Sequence, residues 1–141
     1  MNERTFTTEF IKKNTINGCF EIKFTSKTSI PFSSIQEHQK AALLAVSCGD
    51  GLSWKIADSP FFKDPKDRMR FTHKKNFDVV RLTNVEAYIV AVFYTPRKKK
   101  NVIYIDIERF VRMEEETTRK SFTEQMAIDY SAFSFSYLKR S

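Results

Sequence analysis

The chain alternates strictly between apolar and polar side chains over the segment Cys19-Phe20-Glu21-Ile22-Lys23-Phe24. A period of two residues is typical of a β-strand, because successive side chains point to opposite faces of the sheet. The three apolar positions at 20, 22 and 24 are predicted to face the core, and the other positions are predicted to face away from it. Such a strand holds the carboxylate of Glu21 and the ammonium of Lys23 on one face.

A helix is predicted after this strand and a polar connector. Ser34-Ile35-Gln36-Glu37 has the S-x-x-E pattern of a capping box, which satisfies the free amides of a first helical turn. We expect the helix to run from about Ile35 to Cys48 and to end at Gly49-Asp50-Gly51, since these residues tolerate a positive φ. Its apolar stripe comprises Ile35, Ala42, Leu43 and Val46.

The rest of the chain predicts further strands and short helices. Residues 77–82 and 85–94 are predicted to form a hairpin around Thr83-Asn84, and residues 58–76 are predicted to form a long charged loop. The other predictions are strands at 52–57, 102–107 and 132–137, a helix at 108–116, and a helix that runs from a second capping box at 121–124 to Tyr130. This order indicates one α/β domain over residues 1–141, with a mixed sheet flanked by helices.

The charge balance of the chain favours a polyanionic partner. The 141 residues contain 24 Lys and Arg against 17 Asp and Glu, which gives a formal net charge of +7. Nucleic acid is the leading partner, because its phosphates attract lysine and arginine independently of base sequence. A single basic cluster is also typical of a solvated surface. The candidate DNA-binding residues are Lys12, Lys13, Lys27, Arg68, Arg70, Lys74, Lys75, Arg97, Lys98, Lys99 and Lys100.

The sequence also predicts a compartment. Cys19 and Cys48 have no CxxC partner, so we expect free thiols in a reducing environment. The segment Met1 to Arg4 lacks an apolar leader, and no stretch approaches the roughly 20 apolar residues that span a bilayer. We expect a soluble cytoplasmic protein with no membrane partner, for which a phage or virus is one candidate source.

The spacing Glu21-x-Lys23 pairs two groups that metal-dependent phosphodiester hydrolysis uses. A carboxylate holds Mg²⁺ through oxygen, and the metal polarises the phosphate and acidifies bound water. A lysine can orient the attacking water or neutralise charge in the transition state. Taken alone, however, the triplet is more often an ordinary strand face with alternating charges.

Three segments follow one another around the triplet. Glu21-Ile22-Lys23-Phe24-Thr25 continues into Lys27-Thr28-Ser29-Ile30-Pro31-Phe32, and Glu37-His38-Gln39 follows at the start of the predicted helix. In this order they resemble the E-x-K strand, the K-T-S-F-P-L-like connector and the E-H-Q helix of the RecU-like Holliday junction resolvases, which belong to the PD-(D/E)xK nuclease superfamily. The resemblance covers residues 18–46, with a looser echo at 102–111.

The resemblance implies a restriction-endonuclease-like core and a Mg²⁺-dependent enzyme, for which Mn²⁺ can substitute. It also implies a homodimer that resolves four-way DNA junctions, since symmetric cleavage needs two sites related by a two-fold axis. Glu21 would be a metal ligand and Lys23 the catalytic lysine. Gln39, and in one alternative Glu37, would support the ligand or position water, although Glu37 equally fits the capping box. His38 is expected to be a surface or packing histidine and not a metal ligand.

The chain departs from the family pattern before the E-x-K strand. The superfamily places a metal-binding Asp on an upstream strand, whereas residues 1–18 contain no Asp, and their acids are Glu3 and Glu9. We therefore expect a permuted order, in which Asp78 supplies this catalytic carboxylate as a second metal ligand from the predicted hairpin. The alternative is that Asp78 merely begins a strand. Asp58 is the reserve metal ligand, and Glu9 is a weaker third candidate.

The sequence leaves alternative functions open. A related repair or restriction-type nuclease would use the same residues on other DNA structures. A catalytically degraded DNA-binding module is the non-enzymatic alternative, and the missing upstream Asp motivates it. Cleavage of junctions, flaps and plain duplex distinguishes the three.

Overall fold

The computed structural model describes residues 2–55 and 79–138 of the chain. The helices of these residues are α1 (Glu3–Lys13), α2 (Glu37–Cys48), α3 (Ile107–Glu116) and α4 (Glu124–Asp129), with a short 3₁₀-helix at Phe32–Ser34. The strands are β1 (Cys19–Thr25), β2 (Ser29–Pro31), β3 (Leu52–Lys55), β4 (Val79–Leu82), β5 (Ala87–Tyr94), β6 (Lys99–Asp106), β7 (Ser121–Thr123) and β8 (Phe133–Leu138).

Within residues 2–55 and 79–138, the central sheet has four strands in the order β1-β5-β6-β8. β1 and β5 run parallel, whereas β6 is antiparallel to both β5 and β8. Parallel neighbours need a crossover connection, and α2 lies in the connection between β1 and β5. Two small antiparallel pairs, β2 with β7 and β3 with β4, lie outside this sheet. The predicted mixed sheet flanked by helices is confirmed.

Apolar side chains pack on both faces of the central sheet. On one face, Phe6 and Phe10 of α1 pack in a cluster with Phe20, Ile22 and Phe24 of β1. On the other face, buried side chains of α2, α3 and α4 pack against alternate positions of β5 and β6. The polar face of β1 therefore lies towards α2, which corrects the prediction that it points away from the core.

α2 begins two residues later than the S-x-x-E pattern predicts. Gln36 is the N-cap and Glu37 is the first helical residue, while Ser34 ends the 3₁₀-helix. The Oε1 atom of Gln39 accepts the backbone amide of Gln36 at 2.9 Å, which is the role that the predicted capping box gave to Glu37. The predicted end of the helix at Cys48 is confirmed.

The predicted hairpin of residues 77–82 with 85–94 is wrong. β4 pairs with β3 in a separate two-stranded sheet, and β5 lies between β1 and β6 in the central sheet. The side chains from Ala87 to Phe93 are all buried, which is typical of a strand with both faces covered. Asn84, whose φ is 53°, lies in the turn that separates β4 from β5.

The C-terminal predictions are largely confirmed. α3 lies within one residue of its predicted start, and β8 is an edge strand of the central sheet, as predicted. The second capping box is displaced, because Ser121 belongs to β7 and Thr123 is the N-cap of α4. The predicted loop at residues 58–76 lies outside the described residues.

Candidate functional site

Glu21, Lys23 and Gln39 form a polar cluster, the Glu21 cluster, on the edge strand β1 and the first turn of α2. The ammonium of Lys23 lies 2.9 Å from Glu21 Oε1. The side-chain amide of Gln39 donates from Nε2 to the same carboxylate oxygen at 3.0 Å. The structure thus brings together three of the residues that the sequence predicts for the site.

The backbone of β1 fixes the direction of the two charged side chains. Glu21 stands opposite Ile89 of β5 in the parallel register, and Ile89 is fully buried. Because Phe20 and Ile22 pack against α1, the alternation of the strand directs Glu21 and Lys23 to the α2 face. Residues two apart on one strand are roughly 7 Å apart along the backbone, so their long side chains meet easily.

Gln39 reaches the cluster because α2 crosses the sheet from β1 to β5. The helix packs on the sheet through Leu43, which lies in one buried cluster with Ile89 and Ala91 of β5. Gln39 is one turn before Leu43, and residues four apart lie on the same face of a helix. The apolar contacts that dock α2 therefore also bring Gln39 to Glu21.

The cluster is half-buried. The side chains of Lys23 and Glu21 are 18% and 24% exposed, so their attraction is less screened than that of a surface pair. Both contacts of Glu21 use Oε1, and Oε2 accepts no hydrogen bond from the described residues. A carboxylate oxygen without a protein donor can bind a cation or water.

Among the described residues, the Glu21 cluster contains one carboxylate, that of Glu21. Within residues 2–55 and 79–138, no group of three or more His, Cys, Asp or Glu side chains is arranged to hold a metal ion. Mg²⁺ does not need such a group, since it keeps several waters and is bound through one or two carboxylates and substrate phosphates. Glu21 fits that kind of site. Asp58 and Asp78, the other predicted ligands, lie outside the described residues.

Glu9 and Glu37, the two glutamates that the sequence offers as alternative site residues, do not contact the Glu21 cluster. Glu9 is on α1, which covers the opposite face of β1, and its carboxylate lies 3.7 Å from the ammonium of Lys100. Glu9 is therefore wrong as a substitute for the upstream Asp. Glu37 is exposed, and its Oε1 atom lies 2.5 Å from the ammonium of Lys40. His38 is exposed, so of its two expected settings the structure shows the surface one.

Some of the predicted DNA-binding residues gather at one edge of the sheet. Lys27 follows β1 and the Arg97-Lys98 turn follows β5, and these are the carboxyl ends of neighbouring parallel strands. All three side chains are exposed, and Arg97 has a φ of 63° in the turn. Lys99 begins β6. This edge presents positive charge on two adjacent loops.

The other predicted DNA-binding residues do not lie on the loops that follow β1 and β5. Lys100 is half-buried, and its ammonium lies 5.0 Å from the centroid of the Phe6 ring, so it helps to dock α1. Lys12 and Lys13 are exposed in the last turn of α1, where positive charge also complements the helix dipole. The residues that lie outside the described part of the chain are Arg68, Arg70, Lys74 and Lys75.

Lys40 is a charged residue near the cluster that the sequence analysis did not identify. It is 7% exposed, and it contacts both Glu37 and Glu114. The spacing Glu37-x-x-Lys40 is a helical i,i+3 pair and could have indicated the first of these partners. The second partner lies on a different helix, and no local pattern reveals it.

Comparison with protein-family models, with curated proteins and with solved structures gives no match to this chain.

Both cysteines are free thiols. Among the described residues, no helix has the length and apolar character needed to cross a membrane.

Proposed function

We propose that the chain is a metal-dependent DNA endonuclease that cuts branched DNA, with four-way junctions as the leading substrate. The observation that carries the proposal is the Glu21 cluster, in which Lys23 and Gln39 both contact Glu21 Oε1. The net charge of +7 and the exposed basic residues after β1 and β5 support DNA as the partner.

The arrangement of the cluster supports a restriction-endonuclease-like core. The unit β1-α2-β5 consists of an E-x-K strand, a crossover helix that carries Gln39, and a parallel strand. This arrangement is similar to the E-x-K strand and E-H-Q helix of the RecU-like resolvases. A homodimer is part of the proposal, because symmetric cleavage of a four-way junction needs two sites related by a two-fold axis.

Each residue of the pair has its own role in this chemistry. Glu21 would hold the divalent metal, Mg²⁺ or Mn²⁺, through oxygen, and such an ion polarises the phosphate and lowers the pKa of bound water. Lys23 places a positive charge beside the carboxylate, at 2.9 Å. From that position it stabilises the negative charge that develops on the phosphate or orients the attacking water.

Cleavage by a Glu21→Gln variant tests the proposal. Glutamine keeps the size of the side chain and still accepts the Gln39 amide through its carbonyl oxygen, so the fold is retained. Purified protein is incubated with labelled four-way junctions, flaps and plain duplex in Mg²⁺. We expect the unaltered chain to nick junctions and Glu21→Gln to be at least about 10²-fold slower.

Glu115→Gln is the matched control, because Glu115 is exposed on α3 and the substitution removes the same charge. It is expected to cut as fast as the unaltered chain. A Glu21→Gln protein with full activity would contradict the proposal. Faster cleavage of flaps or duplex than of junctions would identify a repair or restriction-type nuclease.

A DNA-binding module without catalysis is the second candidate function. It is favoured by the finding that Glu21 is the carboxylate that the described residues contribute to the cluster. Tight junction binding without nicking, in either Mg²⁺ or Mn²⁺, would establish this function in place of the first.

A further inference from the structure

The side-chain amide of Gln39 is hydrogen-bonded at both of its ends. Oε1 accepts the backbone N–H of Gln36 at 2.9 Å, and this bond caps the start of α2. Nε2 donates to Glu21 Oε1 at 3.0 Å, which links α2 to a residue 18 positions earlier on β1. One side chain therefore serves both the helix start and the Glu21 cluster.

These hydrogen bonds permit one orientation of the amide. If the amide turned over, its NH₂ group would face the N–H of Gln36, and its carbonyl oxygen would face the carboxylate of Glu21. Donor would then meet donor and acceptor would meet acceptor, which is unfavourable in a half-buried setting. The backbone amide of Gln36 thus determines which end of Gln39 faces Glu21.

We propose that the N-cap of α2 positions the candidate metal ligand, in that the Gln36 N–H orients Gln39 and Gln39 holds Glu21 Oε1 beside Lys23. Glu21 Oε2 is then left for a cation. The catalytic consequence rests on the proposed nuclease function, whereas the orientation of Gln39 rests on geometry alone. Gln39 is a positioning residue, and removal of such a group typically lowers metal affinity or activity by about 10- to 100-fold.

A pair of substitutions at Gln36 isolates the backbone amide. Gln36 has a φ of −72°, which suits proline, and Ile35 before it is extended with a ψ of 106°. Gln36→Pro therefore removes the N–H while its carbonyl still accepts the amide of Lys40. Gln36→Ala removes the side chain and keeps the N–H, so it is the matched control.

The first measurement needs neither DNA nor metal. Hydrogen exchange of the Gln39 side-chain amide is followed by NMR in the full chain. Exchange is expected to be slow in the unaltered protein and in Gln36→Ala, and about fivefold or more faster in Gln36→Pro. Glu21→Ala, which removes the acceptor, is expected to accelerate it in the same way. Equal exchange in the two Gln36 variants would overturn the proposal.

The second measurement is cleavage of four-way junctions. Gln36→Pro is expected to lower kcat by about 10- to 100-fold relative to Gln36→Ala, with unchanged junction affinity. A freed Gln39 amide with the same kcat in both variants would overturn the positioning role. If the unaltered chain does not cut, the proposed function fails, and the exchange measurement alone decides the orientation.

Substitutions at Gln39 provide a test that does not depend on proline. Gln39→Glu still accepts the Gln36 amide, but it cannot donate to Glu21 and places a like charge beside it. Repulsion between the two carboxylates is expected to lower its thermal midpoint, and kcat is expected to fall by about 10- to 100-fold. Gln39→Met is expected to lower both. Full activity of Gln39→Glu would contradict the proposal.

Discussion

The ammonium of Lys40 lies 2.9 Å from Glu114 Oε2, and this ion pair joins α2 to α3. Burial by itself disfavours the charge of Lys40, but hydrogen bonds from its ammonium to Glu37 and Glu114 outweigh burial and raise the pKa of Lys40 above its ordinary value. The residue therefore stays charged at neutral pH. Because Lys40 lies in the first turn of α2, the ion pair ties that turn to α3.

The Lys40–Glu114 ion pair is predicted to stabilise the fold more than an exposed ion pair does. A double-mutant cycle with Lys40→Met and Glu114→Gln should give a coupling free energy of about 1 kcal/mol in urea unfolding. The exposed Arg112–Glu116 pair, at 4.0 Å, is the control and should give less than about 0.5 kcal/mol. Equal coupling energies for the two pairs would contradict the prediction.

Stability at alkaline pH is predicted to depend on Tyr88. Burial, together with the hydrogen bond that its hydroxyl donates to Glu86 at 2.6 Å, raises the pKa of Tyr88 to about 12. In the unfolded chain the pKa is about 10, so the stabilisation is complete below pH ~10 and is lost as the pH rises towards about 12. Urea unfolding should show this loss, and Tyr88→Phe should flatten it. A variant with the same alkaline slope would contradict the assignment to Tyr88.

Lys23 is predicted to act in catalysis and not in DNA affinity. Lys23→Ala should lower the rate of junction cleavage by on the order of 10² or more, because the variant has no positive charge beside the transition state. Gel-shift affinity should stay nearly unchanged. Lys120→Ala, which removes an exposed lysine outside β1, is the control and should leave both properties intact. Parallel loss of binding and cleavage would instead mark Lys23 as a general DNA-binding residue.

The turn after β5 is predicted to bind phosphates. Junction affinity should fall steeply with salt, and Lys98→Gln should reduce the log-log slope by about 1 if Lys98 neutralises one phosphate. Lys120→Gln is the control, because it also removes one positive charge from an exposed lysine. An unchanged slope in Lys98→Gln would place the turn outside the DNA footprint.

Asp78 is predicted to supply a second carboxylate to the metal. Asp78→Asn should abolish Mg²⁺-dependent cleavage while junction binding persists, because Mg²⁺ binding through one carboxylate is weakened. Asp58→Asn, measured in parallel, should keep most of the activity. Loss of cleavage in Asp58→Asn but not in Asp78→Asn would make Asp58 the second metal ligand. Full cleavage by both variants would show that neither Asp binds the metal together with Glu21.

The sequence predicted the elements with clear periodicity. Strict alternation identified β1 and the shared face of Glu21 and Lys23, and the glycines after Cys48 identified the end of α2. The site role of Gln39 is implied by the resemblance to the RecU-like resolvases and not by periodicity. Its hydrogen bond to Glu21 depends on the docking of α2, which is a tertiary property.

The failures also have physical reasons. The apolar run of β5 follows β4 closely and so predicts a hairpin, but a strand buried on both faces shows no alternation that could reveal its neighbours. The capping box was misplaced because Ser34 and Gln36 both precede the helix, and the 3₁₀-helix at Phe32–Ser34 takes up the first of them. The Lys40–Glu114 ion pair spans 74 residues, so it follows from packing alone.

The N-terminal helix depends on tertiary packing for its stability. An isolated helix of 11 residues is marginal in water, so α1 depends on Phe6 and Phe10, which pack on the aromatic face of the sheet. Detachment of α1 would uncover Phe20 and Tyr104, whose rings contact Phe10, while leaving the β1-α2-β5 unit paired. Partial unfolding of the N-terminus would therefore expose an aggregation-prone aromatic surface before it disturbs the Glu21 cluster on the opposite face.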